Sequence, residues 1–243
     1  MATKTHILKG DPPIEVALRR NARARRFTLR VSKSAGTVSL SIPVSAPEAE
    51  ALDFLAERAG WVRRHLADAP GVRCPAIGTA FPLLGTDRPV VAGPGSTARF
   101  SDGRIVMPEG GRCGPLMVTL LKTMAREALA ARCDHHASRL GRRFGRITLR
   151  DTRSRWGSCS AKGDLMFSWR LIMAPPDVLD YVAAHEVAHL AEMNHSQAFW
   201  AACEALHPGY QAPRRWLRAQ GPALQAWRFD SLPRGGACDH VDR

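Results

Sequence analysis

The stretch Pro176-Asp177-Val178-Leu179-Asp180-Tyr181-Val182-Ala183-Ala184-His185-Glu186-Val187-Ala188-His189 joins helix signals to an unusual set of polar residues. Proline in a first helical turn costs no hydrogen bond, and Asp177 and Asp180 suit the positive end of a helix dipole. A helix is therefore predicted from about Pro176 through His189. Residues four apart on a helix share one face, so His185 and His189 can offer two imidazole nitrogens to a single ion while Glu186 falls beside that face. Zinc suits such a set. It lowers the pKa of a bound water to about 7, and Glu186 is expected to take that water's proton as a base and return it as an acid to the leaving group. The bare pattern arises by chance in roughly one chain in a hundred of this size, so its setting decides. Here alanines at 183, 184 and 188 surround it, and histidine would be a poor choice for plain core packing.

A catalytic zinc site generally has three protein ligands and one open position. His195 is the expected third ligand, reaching back to the ion if the helix ends near Met193-Asn194, where Asn tolerates a left-handed turn. Glu192 is the rival. It lies on the histidine face of a continuing helix, but a rise of about 1.5 Å per residue carries it well past His185, and it better suits a role orienting one of the histidines.

Working outward, Ile147 and Leu149 alternate as a strand, the loop Ser154-Arg155-Trp156-Gly157-Ser158-Cys159 follows, and a second strand is predicted from about Leu165 to Met173. Residues Gln197 to about Leu206 form a further helix, stopped by His207-Pro208-Gly209. Upstream, Met117, Leu120, Leu121, Met124, Ala128 and Ala131 line one face of a helix running to about Leu140, with Gly141 placed to end it. The adjacent His135-His136 pair is expected on a solvated face, because neighbours on a helix diverge by about 100°.

Before Gly114 the periods are shorter. Ile14, Val16 and Leu18, then Phe27, Leu29 and Val31, then Val38, Leu40 and Ile42 alternate as strands of a small antiparallel sheet, broken at Arg19 to Arg26 and at Ser34-Ala35-Gly36. Ser45 and Glu48 form a capping-box signature for a helix to about Leu66. The Pro- and Gly-rich stretch 70–112 promises short strands, with Asp102-Gly103 a strong hairpin turn. The fold class expected is α+β, with a β-rich N-terminal part over 1–112, a catalytic part over 113–230, and a disordered tail over 231–243.

With 243 residues, 45% of them hydrophobic, the chain can bury a real core without staples. No apolar leader and no run of about 20 apolar residues is present, so the expectation is a cytoplasmic protein without a membrane partner. Six cysteines with no Cys-x-x-Cys pair are expected as reduced thiols. The formal charge of +13 is carried mostly by arginines spread along the chain; it favours an anionic partner such as nucleic acid, or reflects general solubility, and does not select a reaction.

The run Ser154 to Cys159, the strand Phe167-Ser168-Trp169-Arg170-Leu171-Ile172, Ala174-Pro175-Pro176, the motif helix, and Met193-Asn194-His195-Ser196 through Phe199-Trp200 resemble the YgjP-like metallopeptidase family. The resemblance extends to the N-terminal strands and Trp61-Val62-Arg63-Arg64, and ends near Trp216. It implies a zincin-like catalytic domain in which His185, His189 and His195 bind the metal and Glu186 is catalytic.

Three functions remain open on this reading. A peptidase is favoured if Leu165 to Ile172 is an edge strand that receives an extended peptide. A nucleotide phosphohydrolase is favoured if Arg153, Arg155 and Arg170 hold phosphates beside the metal. A zinc-stabilised nucleic-acid-binding module is the third, although structural zinc sites are normally closed by four ligands. Trp156 either floors the site or knits a loop to a helix; Tyr210, Arg214 and Arg215 can stabilise developing charge if the chain folds back over the metal. Cys159 as a nucleophile has no base fixed near it.

Overall fold

The structure, a computed structural model, describes residues 4–32, 36–67 and 73–229; the expected tail over 231–243 and the break at Ser34-Ala35 lie outside them. Two units divide between Val72 and Arg73. The boundary expected at 112 is thus corrected. Phe81, Leu83, Val90, Ile105 and Met107, from the Pro- and Gly-rich stretch, are buried in the same core as the long helix that follows. Burial partners, and not the change of period, set the division.

The first unit opens on strands β1 (Lys4–Leu8), β2 (Ile14–Asn21), β3 (Thr28–Ser32) and β4 (Thr37–Pro43), in the order β1-β2-β4-β3. The sheet is mixed, not antiparallel as expected: β2 and β4 run parallel, with Val16 opposite Val38 and Leu18 opposite Leu40. The β3–β4 hairpin folds so that β4, and not β3, lies beside β2. Alternation still fixes the inward set, since Val16, Leu18, Val38, Leu40 and Ile42 are buried. The helix expected to Leu66 is two helices, α1 (Glu48–Glu57) and α2 (Ala59–Ala67), parted at Arg58 (φ −98°, ψ 8°). Pro47, not Ser45, stands at the N-cap, and no side chain caps it.

In the second unit, β5 (Ala80–Leu83), β6 (Thr86–Gly93), β7 (Arg99–Ser101) and β8 (Arg104–Pro108) repeat the same order, β5-β6-β8-β7, with β6 and β8 parallel. Asp102 (φ 50°) and Gly103 (φ 73°) make the tight turn anticipated between β7 and β8, both in the left-handed region that a type I′ hairpin requires. Helix α3 (Cys113–Leu140) ends at Gly141 in the left-handed conformation. Its buried stripe is Met117, Leu121, Ala125, Leu129, Cys133 and Ala137, every fourth residue.

Strands β9 (Ile147–Arg150), β10 (Gly157–Cys159) and β11 (Leu165–Ser168) form a sheet in the order β10-β11-β9. The strand expected to reach Met173 stops at Ser168 and continues as a 3-10 helix, Trp169–Met173, all of it buried. The Ile172 and Met173 carbonyls there accept from the Leu84 and Gly85 amides instead of continuing the ladder with a β11 partner. β11 is also central and not an edge, pairing with β10 on one side and β9 on the other.

Helices α4 (Pro176–Ala188), α5 (Gln197–Leu206) and α6 (Gln211–Gln225) complete the unit; α6 has no counterpart in the sequence reading. His136 contradicts the expected solvated face: it is 1% exposed and its Nε2 lies 2.7 Å from Asp180 Oδ1, tying α3 to α4. Among the described residues no helix is long and apolar enough to cross a membrane.

Arg170 closes the C-terminal segment onto the core. Its Nε and one terminal nitrogen donate to the two Asp151 carboxylate oxygens at 2.6 and 3.1 Å, and its other terminal nitrogen donates to the Leu224 and Trp227 carbonyls at 2.9 and 3.0 Å. Its guanidinium also lies over the Trp169 ring. Four of the five N–H groups of the fork are taken, so the expected phosphate contact by Arg170 is replaced by a structural one. Replacing Arg170 by Met should lower the unfolding free energy by about 2–4 kcal/mol in urea titrations, because two buried carbonyls lose their donors; a loss below about 1 kcal/mol would contradict this role.

Candidate metal centre

Helix α4 is buried nearly all round, with Ala183, Ala184, Val187 and Ala188 wholly inaccessible. It ends sooner than expected, at Ala188, with His189 as C-cap. The next amides fall back on near carbonyls: Leu190 donates to Val187 and Ala191 to Ala188, at 2.9 and 3.0 Å. This tight turn, not a helix running to Asn194, returns the chain to the helix face. Ser196 then caps α5, its hydroxyl accepting from the Phe199 amide at 3.3 Å.

The turn brings His195 Nε2 to 3.1 Å from His185 Nε2. The ligand-capable nitrogens of His185, His189 and His195 all lie within 4.8 Å of one another. Two nitrogens held tetrahedrally at the usual zinc–nitrogen distance stand roughly 3.3 Å apart, so the spacing and the all-imidazole donor set fit a zinc-sized ion. The Phe199 ring lies under all three, its centroid 4.9, 4.5 and 4.7 Å from those of His185, His189 and His195. His189 Nδ1 lies 3.0 Å from the Glu192 carbonyl oxygen, which assigns the proton to Nδ1 and leaves Nε2 with its lone pair. Glu192 therefore orients a histidine, as expected, but through its backbone. Its carboxylate is not in the cluster.

Electrostatics favour the neutral form of His185 and His189, the form that binds metal. Burial, then the neighbouring His189, His195 and Arg214, push His185 down to about 3, and burial followed by His195 lowers His189 against the opposing pull of the Glu192 carbonyl.

Glu186 is 5% exposed and faces β10. Burial pushes its carboxyl up to about 8, with the Arg155 guanidinium and the Cys159 backbone N–H opposing that rise. A Cβ at Gly157 would lie 2.5 Å from Glu186 Oε1 and 2.6 Å from its Cγ. Only glycine admits the carboxyl so close to the strand. That residue was missed, although an isolated glycine in a strand pattern is a signal of close backbone approach.

The remaining candidates separate. Arg155, exposed, lines a cleft of about 530 Å³ with Arg146, Arg150 and Ser158, and its charge reaches Glu186. Arg153 is exposed and does not line that cleft. Trp156 packs on α6, where a Cβ at Gly221 would meet its ring at 3.0 Å, so it knits loop to helix. Tyr210 stacks on Trp200 (5.0 Å, 15°), which stacks in turn on His195 (5.6 Å, 28°), while Arg214 lies 4.5 Å over the Trp200 ring. The chain after α5 thus folds back beside the histidines.

The profile of the YgjP-like metallopeptidase domain matches residues 25–220. The chain belongs to the YgjP-like family. Membership agrees with an α+β fold and a metal-dependent peptidase site. Among solved structures, the metallopeptidase zymogen of Pyrococcus abyssi abylysin is similar at 23% identity over 38% of this chain and 92% of its own, with a TM-score of 0.34. No curated protein matches significantly.

The contact between Glu186 and Gly157 is testable without substrate. Gly157→Ala should cost about 1–3 kcal/mol by overpacking, and most of that cost should vanish in the Gly157→Ala/Glu186→Ala double variant, giving a coupling of at least about 1 kcal/mol in thermal or urea unfolding. Additive losses would place the two residues out of contact.

Proposed function

We propose that this YgjP-like protein is a zinc-dependent peptidase in which His185, His189 and His195 hold the ion and Glu186 transfers the proton. The observation that carries the reading is the convergence of three imidazoles beside Glu186, a buried carboxyl that follows His185 on helix α4. Imidazole donors suit zinc, and three of them leave a coordination position open. When bound, zinc supplies Lewis acidity toward water and toward the substrate's carbonyl.

The protein's residues do the rest. Glu186, with its pKa raised to about 8 by burial, is matched to taking a proton near neutral pH and giving it to the departing amine. The Cys159 N–H and the Arg155 charge hold the carboxylate form once the proton has gone. Arg214, whose charge reaches His185, is suited to balancing negative charge on the carbonyl oxygen. Cytoplasmic location belongs to the same proposal, supported by Cys113, Cys133, Cys159 and Cys203 being free thiols.

A peptide substrate is supported by β10. The Ser168 amide donates to the Trp156 carbonyl and the Ser160 amide to the Asp164 carbonyl. Alternation then turns residues 156, 158 and 160 toward β11, and the backbone of Gly157 and Cys159 outward. Cys159 gives its N–H to Glu186, which leaves the Gly157 amide and carbonyl and the Cys159 carbonyl to pair with an extended chain. The edge beside the metal centre is therefore β10 and not Leu165–Ile172. The nucleotide alternative has less support, with Arg170 engaged in the core and Arg153 outside the cleft.

Glu186→Gln should retain zinc and lose about 10²–10⁴-fold in peptide turnover, read on a casein and peptide library beside a panel of nucleoside triphosphates. His195→Ala should weaken zinc binding by more than about a hundredfold. Glu186-dependent phosphate release without peptide cleavage would transfer the function to nucleotides, and full peptide turnover by Glu186→Gln would refute the mechanism.

A further inference from the structure

The sheet beside the metal centre has two unlike faces. Leu165 and Phe167 of β11 turn into the core with Ile147 and Leu149 packed beside them. On the opposite face, Thr148 of β9 stands in register with Met166, and Met166 with Ser158 of β10; these line the 530 Å³ cleft. Arg146 and Arg150, two residues either side of Thr148, share that face by the period of a strand, and Arg155 closes the end nearest Glu186.

The cleft is unequally charged. It contains three guanidinium groups against the Asp164 carboxylate, which lies 3.4 Å from Arg146. Arg150 and Arg155 are exposed and, among the described residues, face no acidic side chain within ion-pairing distance. A chain paired with the outer edge of β10 would send every second side chain to the Ser158 side, toward these arginines.

We propose that this cleft selects acidic side chains, so that the peptide taken by the enzyme carries Asp or Glu at alternate positions along the segment seated on β10. The proposal rests on the peptidase reading for its substrate, and on the charge and register of the open face for its specificity. Guanidinium forks pair with carboxylates in two parallel hydrogen bonds, and the same field repels a basic peptide. Arg155 joins the two parts of the site, since its charge reaches both the cleft and Glu186.

Binding separates this inference from turnover. Fluorescein-labelled peptides alternating Glu with Ala, or Gln with Ala, are titrated into zinc-loaded Glu186→Gln protein and followed by fluorescence anisotropy. The Glu peptide should bind at least about tenfold more tightly than the Gln peptide. That preference should shrink between about 50 and about 300 mM salt, and should vanish or reverse in Glu186→Gln protein also carrying Arg150→Glu, with zinc content and circular dichroism unchanged. Equal binding of the two peptides, or a preference untouched by Arg150→Glu, overturns the proposal. So does tighter capture of a single-stranded oligonucleotide than of the Glu peptide, which would make the cleft a nucleic-acid site. Acid-selective binding without any peptide cleavage by the wild-type enzyme supports the cleft and refutes the peptidase reading instead.

Discussion

Glu186 lies against the backbone of β10 across a gap that excludes even a Cβ, and is 5% exposed. Holding a carboxyl there disfavours its ionised form by an amount on the order of 5 kcal/mol, given a rise from 4.5 to about 8. Nothing local offsets that fully: one backbone N–H and one distant guanidinium oppose it. The opposing stability must come from packing. Helix α4 is accordingly enclosed by α3, β10, α5, α6 and the 3-10 helix. Trp169 of the 3-10 helix and Phe199 of α5, with Phe167 of the neighbouring β11, are almost completely buried.

The same enclosure positions the histidines. A helix alone supplies two of them on one face, and its early end at His189 supplies the third by returning the chain through a tight turn to Ser196. Phe199, one turn into α5, then packs beneath all three rings, so the cap that starts α5 and the floor of the metal centre are one local structure. Arg170 and Asp151 have a similar dual role in fastening the C-terminal segment and the start of the loop after β9 to one another. Rigid surroundings of this kind hold the three imidazoles close together, although the buried Nδ1 of His185 has no hydrogen-bond partner among the described residues.

Elements whose evidence is local were legible in the chain. The period of α3, Gly141 at its end, the proline start of α4 and the Asp102-Gly103 turn each reflect a constraint felt within a few residues. The histidine cluster was legible for the same reason, since helical spacing alone aligns His185 with His189. Strand order was not. Whether β2 meets β3 or β4, and whether β11 is central or at an edge, depends on which partner wins across a distance in sequence, and an alternating pattern is the same in either arrangement. The boundary at 112 failed similarly, because a change from strand to helix period does not reveal that both sides share one core.

The arginines show where such a reading ends. Spread along the chain, they suggest an anionic partner in general, and the structure divides them by what surrounds each guanidinium. Arg170 is enclosed, its donors spent on Asp151 and two carbonyls. Arg146 and Arg150 alternate with Ile147 and Leu149, a pattern that tells which residues share a face but not which face stays open. Burial of Leu165 and Phe167 on the next strand decides it, turning the hydrophobic set inward and leaving the basic set beside β10. Charge becomes specific when a core on one side of a sheet fixes the chemistry of the other, and here that second face adjoins the buried carboxyl on which the proposed reaction depends.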